Sequence, residues 1–305
     1  FQAEDGIRDS VASRGLGDVY KRQVFDMAND MDSQGFQDLG GEGTLDMIEN
    51  MGDSFMEMEG DQMAGAFGAM DHHDMHSMGG DQVFEAAGNM EAADFQSMGG
   101  DSALAMFDTM GHESAGALEG DQLAGMFGAM DGDQLHSIGG DQLFDTAGAM
   151  TQDNFLAMDS DSAFGMFDAM GADNAMALEG DQMAGMFDAM GPEHFGEIGG
   201  NQMFEMAGNM SGDNFAAMGS DSAFGMFDTM GSDMVTSLEG DQLAGMFGAM
   251  EHEQIGHMDG SVVFDVFESM GTEGMMSMDG GSMAGMFDAM GPDNFGGIAN
   301  VDMFE

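Results

Sequence analysis

The chain contains no cysteine, no tryptophan, one tyrosine, two prolines and only four basic residues among 305. Without cysteine there is no disulfide framework and no thiolate metal site, and the sequence fits either redox compartment. No apolar run reaches the eighteen or more residues that a membrane-spanning helix needs. There is no phosphate-cradling Gly-Lys-Ser/Thr, no Gly-x-Ser-x-Gly nucleophile elbow and no cysteine nucleophile, so an enzyme is not expected. Aspartate and glutamate number 58, and the formal net charge is -54. Nothing in the repeats can neutralise phosphate, which excludes nucleic acid and argues equally against an anionic membrane surface.

The scarce residues are not spread evenly. Arg8, Arg14, Lys21, Arg22 and Tyr20 all lie in the first 23 residues, where Glu4, Asp5, Asp9 and Asp18 make the segment net neutral. Residues 24–305 therefore carry the whole net charge. FQAEDGIRDSVASRGLGDVYKRQ resembles a peptide produced when sequencing-adapter DNA is translated at the end of an assembled read. The resemblance covers the segment almost completely and implies that residues 1–23 are a non-native or disordered leader on a metagenomic fragment. The native start of the chain is then expected to be missing.

From Val24 onward the sequence is a tandem repeat of about twenty residues. With Gly120 as position 1 of GDQLAGMFGAMDGDQLHSIG, apolar residues fall at positions 4, 7, 8, 11, 16 and 19: Leu123, Met126, Phe127, Met130, Leu135 and Ile138. The first four have the i, i+3, i+4, i+7 spacing of a helix face, and the last two mark a second helix of about two turns. β-Branched residues are scarce and strict alternation is absent, which excludes a β-solenoid of similar period. Pro192 and Pro292 occupy position 13, where proline starts a helix without losing a hydrogen bond. Thr151 and Ser211 stand just before that start as N-cap oxygens.

The units cycle through three types. The first has a small residue at position 5 and Phe at 8 (Ala124, Phe127), the second reverses this (Phe144, Ala147), and the third has Phe at both (Phe164, Phe167). The superperiod is thus sixty residues: Ser160–Gly171 returns as Ser220–Gly231 with one change. Two slips interrupt it. Gly41–Glu59 is a third-type unit one residue short, and Gly260–Asp279 is a third-type unit that directly follows a first-type one. The sequence stops inside the long helix of a new unit, so the array is expected to be truncated at its C-terminus. Two short helices cannot bury an apolar face alone, whereas stacked neighbours can. The expected fold is all-α, a single α-solenoid over 24–305 of about fourteen layers, on the order of 100–140 Å long. Glycines at positions 6 and 9, such as Gly125 and Gly128, weaken a helix by up to about 1 kcal/mol each, a cost that close approach between layers would offset.

The 42 methionines lie on the apolar stripe with phenylalanine, so they read as flexible core filling rather than as soft ligands for copper(I). All eight histidines lie at positions 13–18; His72 and His76 share a helix face as a candidate zinc or nickel pair, although the variation of these positions between units fits a solvated face better. The carboxylates carry the strongest functional signal. Glu-Gly-Asp recurs where a third-type unit meets a first-type one, giving Glu119 with Asp121, Glu179 with Asp181, and Glu239 with Asp241. About four uncompensated charges per unit repel over a Debye length of about 8 Å. Ca²⁺, Mg²⁺ or high salt would relieve this repulsion, and hard cations favour oxygen ligands. The bland reading of these acids is helix-start preference alone. Two functions follow: a structural or adhesive acidic repeat region of a larger extracellular or cell-surface protein, acting as an extended spacer ordered by divalent cations, or a partner-binding solenoid that presents a Met/Phe-rich groove.

Overall fold

The structure is a computed structural model that describes residues 19–298, with side chains described as far as residue 292. Within those residues all regular structure is helical and there is no strand, as the apolar spacing requires. Of the leader, residues 1–18 lie outside the described residues, and 19–23 begin a helix over 19–29 that runs on into the repeats. The expected truncation point at 299–305 also lies outside them. The chain divides between Met150 and Thr151 into two compact units.

In the first unit, long and short helices alternate from Gly60–Ala69 and His72–Met78 through Gly120–Gly128 and Gly132–Ile138 to Gly140–Ala147. Each of the six apolar positions of the type repeat is buried: Leu123, Met126, Phe127, Met130, Leu135 and Ile138 are at most 6% exposed. Helix ends follow backbone chemistry. Gly139, at φ 97°, lies between the Gly132–Ile138 and Gly140–Ala147 helices in a conformation that side chains with a Cβ rarely adopt. The short helix does not always reach two turns. In three third-type units it stops after four residues, at His112–Ala115, Ala172–Ala175 and Ser232–Val235, where Ala115, Ala175 and Val235 stand in place of the larger anchors of the longer ones.

The second unit repeats these features from Gln152–Leu156 onward. Pro192 opens the Pro192–Ile198 helix, and the Ser211 hydroxyl accepts from the Asn214 N–H at 3.3 Å. The last two helical stretches, Gly260–Ser277 and Gly280–Ile298, are each broken by a glycine at positive φ, Gly271 at 64° and Gly291 at 65°. Pro292 thus follows a break rather than interrupting a helix.

Packing inside each unit follows one rule. A short helix touches one long helix that precedes it and another that begins sixty residues after the first. Ala92–Met98 lies against both Gly60–Ala69 and Gly120–Gly128, and Gly212–Ala216 lies against both Gly180–Met190 and Gly240–Ala249. In the second unit, contact extends directly across the superperiod, with Gln152 Nε2 donating to the Ala217 carbonyl at 3.2 Å. Position-8 phenylalanines of adjacent units meet in the core. Phe107 and Phe127 have ring centroids 5.9 Å apart and Phe227 and Phe247 5.7 Å apart, in the tilted or edge-on arrangements aromatic pairs favour.

The two glycine positions play different parts. At position 6, a Cβ on Gly125 would stand 2.5 Å from the Ala92 backbone, one on Gly185 would stand 2.7 Å from the Gln152 carbonyl oxygen, and one on Gly245 would collide with the Gly212 carbonyl. At position 9, a Cβ on Gly248 would meet nothing within 4 Å and one on Gly128 only a glutamine side chain at 3.7 Å. Position 6 is where one backbone seats on another, while position 9 merely tolerates glycine. Gly125→Ala and Gly245→Ala are expected to destabilise by about 1–3 kcal/mol through overpacking, whereas Gly248→Ala stabilises by roughly 0.5–1 kcal/mol. Denaturant midpoints of the single variants measure both signs.

Candidate functional site

The acidic junctions are built from helix starts. Glu119 is the N-cap of Gly120–Gly128 in a capping box: its N–H donates to Gln122 Oε1 at 3.1 Å, and its carboxylate faces the Gln122 N–H. Glu179 and Glu239 do the same with Gln182 and Gln242. The backbone N–H groups of these three glutamates are thus taken up by glutamine side chains. Asp121, Asp181 and Asp241 stand exposed in the first helical turn, where the dipole favours them. Among the described residues, no group of three or more His, Asp or Glu is placed to hold a metal ion. His72 and His76 do share a face, with ring centroids 6.1 Å apart, but both are exposed and no third ligand joins them.

The glutamine at position 3 was the residue that sequence reasoning missed. Gln122 is buried, and its amide nitrogen donates to the carbonyls of Ala87 at 3.2 Å, Gly88 at 3.2 Å and Met90 at 2.8 Å. Those carbonyls lie at and just beyond the end of the Gly80–Ala87 helix, where the helical ladder runs out. One side chain thus starts its own helix and ends another. In the second unit Gln242 repeats this on Ala207, Gly208 and Met210. The signal was that Glu just before position 1, as Glu59, Glu119, Glu179 and Glu239, always comes with Gln at position 3, although Gln82, Gln142 and Gln202 follow glycine.

Other carboxylates also find neutral donors. Gln134 donates to Asp101 at 2.7 Å and Gln254 to Asp221 at 2.8 Å, each across 33 residues, and the Ser222 hydroxyl donates to Asp188 at 2.7 Å. Several N-cap acids are held below the usual carboxylate range. For Asp71 the main cause is the Asp74 N–H, for Asp259 the Ser261 hydroxyl and for Asp279 the Ser282 hydroxyl. Glu193 is lowered by its own backbone N–H and by the Ser160 hydroxyl, which donates to it at 3.1 Å.

One histidine departs from the solvated pattern. His194 stacks on Phe164 with centroids 4.5 Å apart and planes 8° apart. Its Nε2 lies 3.1 Å from Ser160 Oγ and 3.4 Å from Asp161, while Nδ1 is buried without a hydrogen-bond partner. His252 Nε2 lies 3.5 Å from Asp288. These contacts tie a short helix to a long one.

The phenylalanines divide by position. Phe127, Phe187 and Phe247 at position 8 are fully buried, whereas Phe84, Phe144, Phe164, Phe204 and Phe224 at position 5 remain partly exposed. Phe224 lines a cavity of about 280 Å³ with His257, Met258 and Val262.

In comparisons with family models, curated proteins and solved structures, nothing matches the chain. No helix among the described residues is long and apolar enough to cross a membrane.

Gln122→Glu is expected to lower stability by about 1–3 kcal/mol, because the carbonyls of Ala87, Gly88 and Met90 lose the glutamine N–H and a charge enters a buried position. The comparison with Gln122→Ala by chemical denaturation checks the cause, since the alanine variant carries no buried charge and loses less.

Proposed function

We propose that the repeats form a structural module: an acidic α-solenoid that acts as an extended spacer within a larger structural or adhesive protein of the cell surface or surroundings. Three repeats make one superhelical turn in this reading, which is supported by the short helices that touch long helices sixty residues apart. The observation that carries the proposal is the division of chemistry between inside and outside. Methionine and position-8 phenylalanine are consumed in the core, while the exposed helix starts present Asp121, Asp181 and Asp241 in a region with no Lys or Arg. Such a surface resists aggregation and keeps its distance from other acidic molecules.

In this reading divalent cations or salt support the fold by screening the helix-start acids collectively, without a closed coordination cage. Calcium at the 10⁻⁴–10⁻³ M that extracellular modules use is the fitting ion, with Mg²⁺ as its substitute. Helicity and melting temperature of the chain, followed by circular dichroism in EDTA and then during Ca²⁺ addition, test this. Calcium at about 1–5 mM is expected to raise the melting temperature beyond what NaCl of equal ionic strength achieves. Identical curves in EDTA, NaCl and Ca²⁺ would reject cation ordering and leave only the inert spacer.

The partly exposed phenylalanines at position 5 favour a second reading, in which the module grips an apolar partner through the row that includes Phe224. A side chain kept for binding contributes little to folding. Phe224→Ala is then expected to shift the denaturation midpoint far less than Phe127→Ala, a fully buried truncation of the kind that costs about 3–5 kcal/mol. Equal losses from the two variants would sink the binding reading.

A further inference from the structure

The first unit contains one place where the repeat is broken by a missing residue. Gly41–Glu59 is one residue short of the twenty-residue register, and its second helix is a 3₁₀ helix, Gly52–Glu57, instead of an α-helix. Gly52, at φ 58° and ψ -134°, makes the sharp entry, in a region of backbone space open essentially to glycine. Phe55 is buried in the core at 1% exposure. Beside it opens a cavity of about 450 Å³, within the size range of small-molecule sites.

The cavity is amphipathic. Ile48, Phe55 and Met78 form an apolar floor, while Glu49, Asp53 and Glu85 stand at the rim, and no basic residue lines it. Ile48 and Phe55 are buried, whereas the three acids are exposed. An ammonium group already lies close by: a Cβ added to Gly52 would come within 3.3 Å of Lys21 Nζ. Lys21 precedes the repeats, so the repeats themselves supply no cation for this rim.

We propose that this cavity is a binding site for a small organic amine with an apolar body. Its ammonium is held among Glu49, Asp53 and Glu85, and its hydrocarbon part covers Ile48, Phe55 and Met78. Charge and shape act together: the acids alone would attract any cation, and the floor selects those that carry apolar surface. This goes beyond the spacer reading and does not depend on it.

Isothermal titration of the full chain with phenethylamine, and separately with methylammonium, tests the proposal in 0.15 M NaCl, where the general acidic field is screened to about 8 Å. One equivalent of phenethylamine is expected to bind at least about tenfold more tightly than methylammonium, because the ring gains the floor. Glu49→Gln combined with Glu85→Gln weakens phenethylamine about tenfold or more. Ser77→Trp, at an exposed lining position, fills the cavity and abolishes binding. The same charge change made far away, Asp145→Asn with Glu205→Gln, leaves affinity unchanged, and the melting temperature of each variant reports whether it is folded. Many weak equivalents, equal affinity for both amines, or equal losses from the near and distant charge variants would overturn the site and leave counterion condensation on an acidic chain.

Discussion

The structure depends on how a chain with no lysine or arginine after residue 22 satisfies its carboxylates. Ordinary domains pair acids with bases, at the surface for little gain and at interfaces for specificity. Here the donors are neutral: backbone N–H groups at helix starts, glutamine amides and serine hydroxyls. Each such bond is also a geometric instruction. Gln122, at the third helical position, accepts the Glu119 N–H through Oε1 and carries its amide nitrogen to the end of a helix more than thirty residues earlier. Capping and tertiary contact are therefore one interaction with two ends. His194 and His252 each also reach a carboxylate more than thirty residues away, Asp161 and Asp288.

The interior is equally economical in residue type. Phenylalanine occupies the fixed points, and methionine fills the irregular space between them, with Met126, Met166, Met186 and Met226 at 0–1% exposure. A flexible thioether tolerates the small differences among the three unit types. A stiffer β-branched residue would demand a separate fit in each. Glycine at position 6 sets the spacing: the close seating of Gly125 on Ala92 leaves no room for a side chain between the two backbones.

Much of this was legible from the sequence, and the parts that were not share a cause. Apolar spacing located the helices, the buried faces and the start at Pro192, because those depend on local periodicity alone. The glycines at positions 6 and 9 looked alike, since composition cannot say which one meets a backbone; only the partner's position separates Gly125 from Gly248. Glu119 and Asp121 look alike in sequence, yet Glu119 sits at the N-cap with its N–H bonded to Gln122 Oε1, while Asp121 stands exposed in the first helical turn. His72 and His76 were correctly placed on one face, but a third ligand depends on neighbours that no spacing rule supplies. The short unit at Gly41–Glu59 was visible as a deletion, yet its cavity required knowing that the lost residue is absorbed by winding a helix more tightly.

The sharing of one short helix between long helices sixty residues apart has a consequence for how such a chain can change length. Adding or removing three consecutive units hands every short helix the same pair of neighbours it had before. Changing the number by one brings together surfaces that were never matched, with phenylalanine facing phenylalanine and alanine facing alanine. Growth by unequal exchange is thus quantised, and single-unit events leave scars. The unit at Gly260–Asp279, third-type directly after first-type, is one such scar.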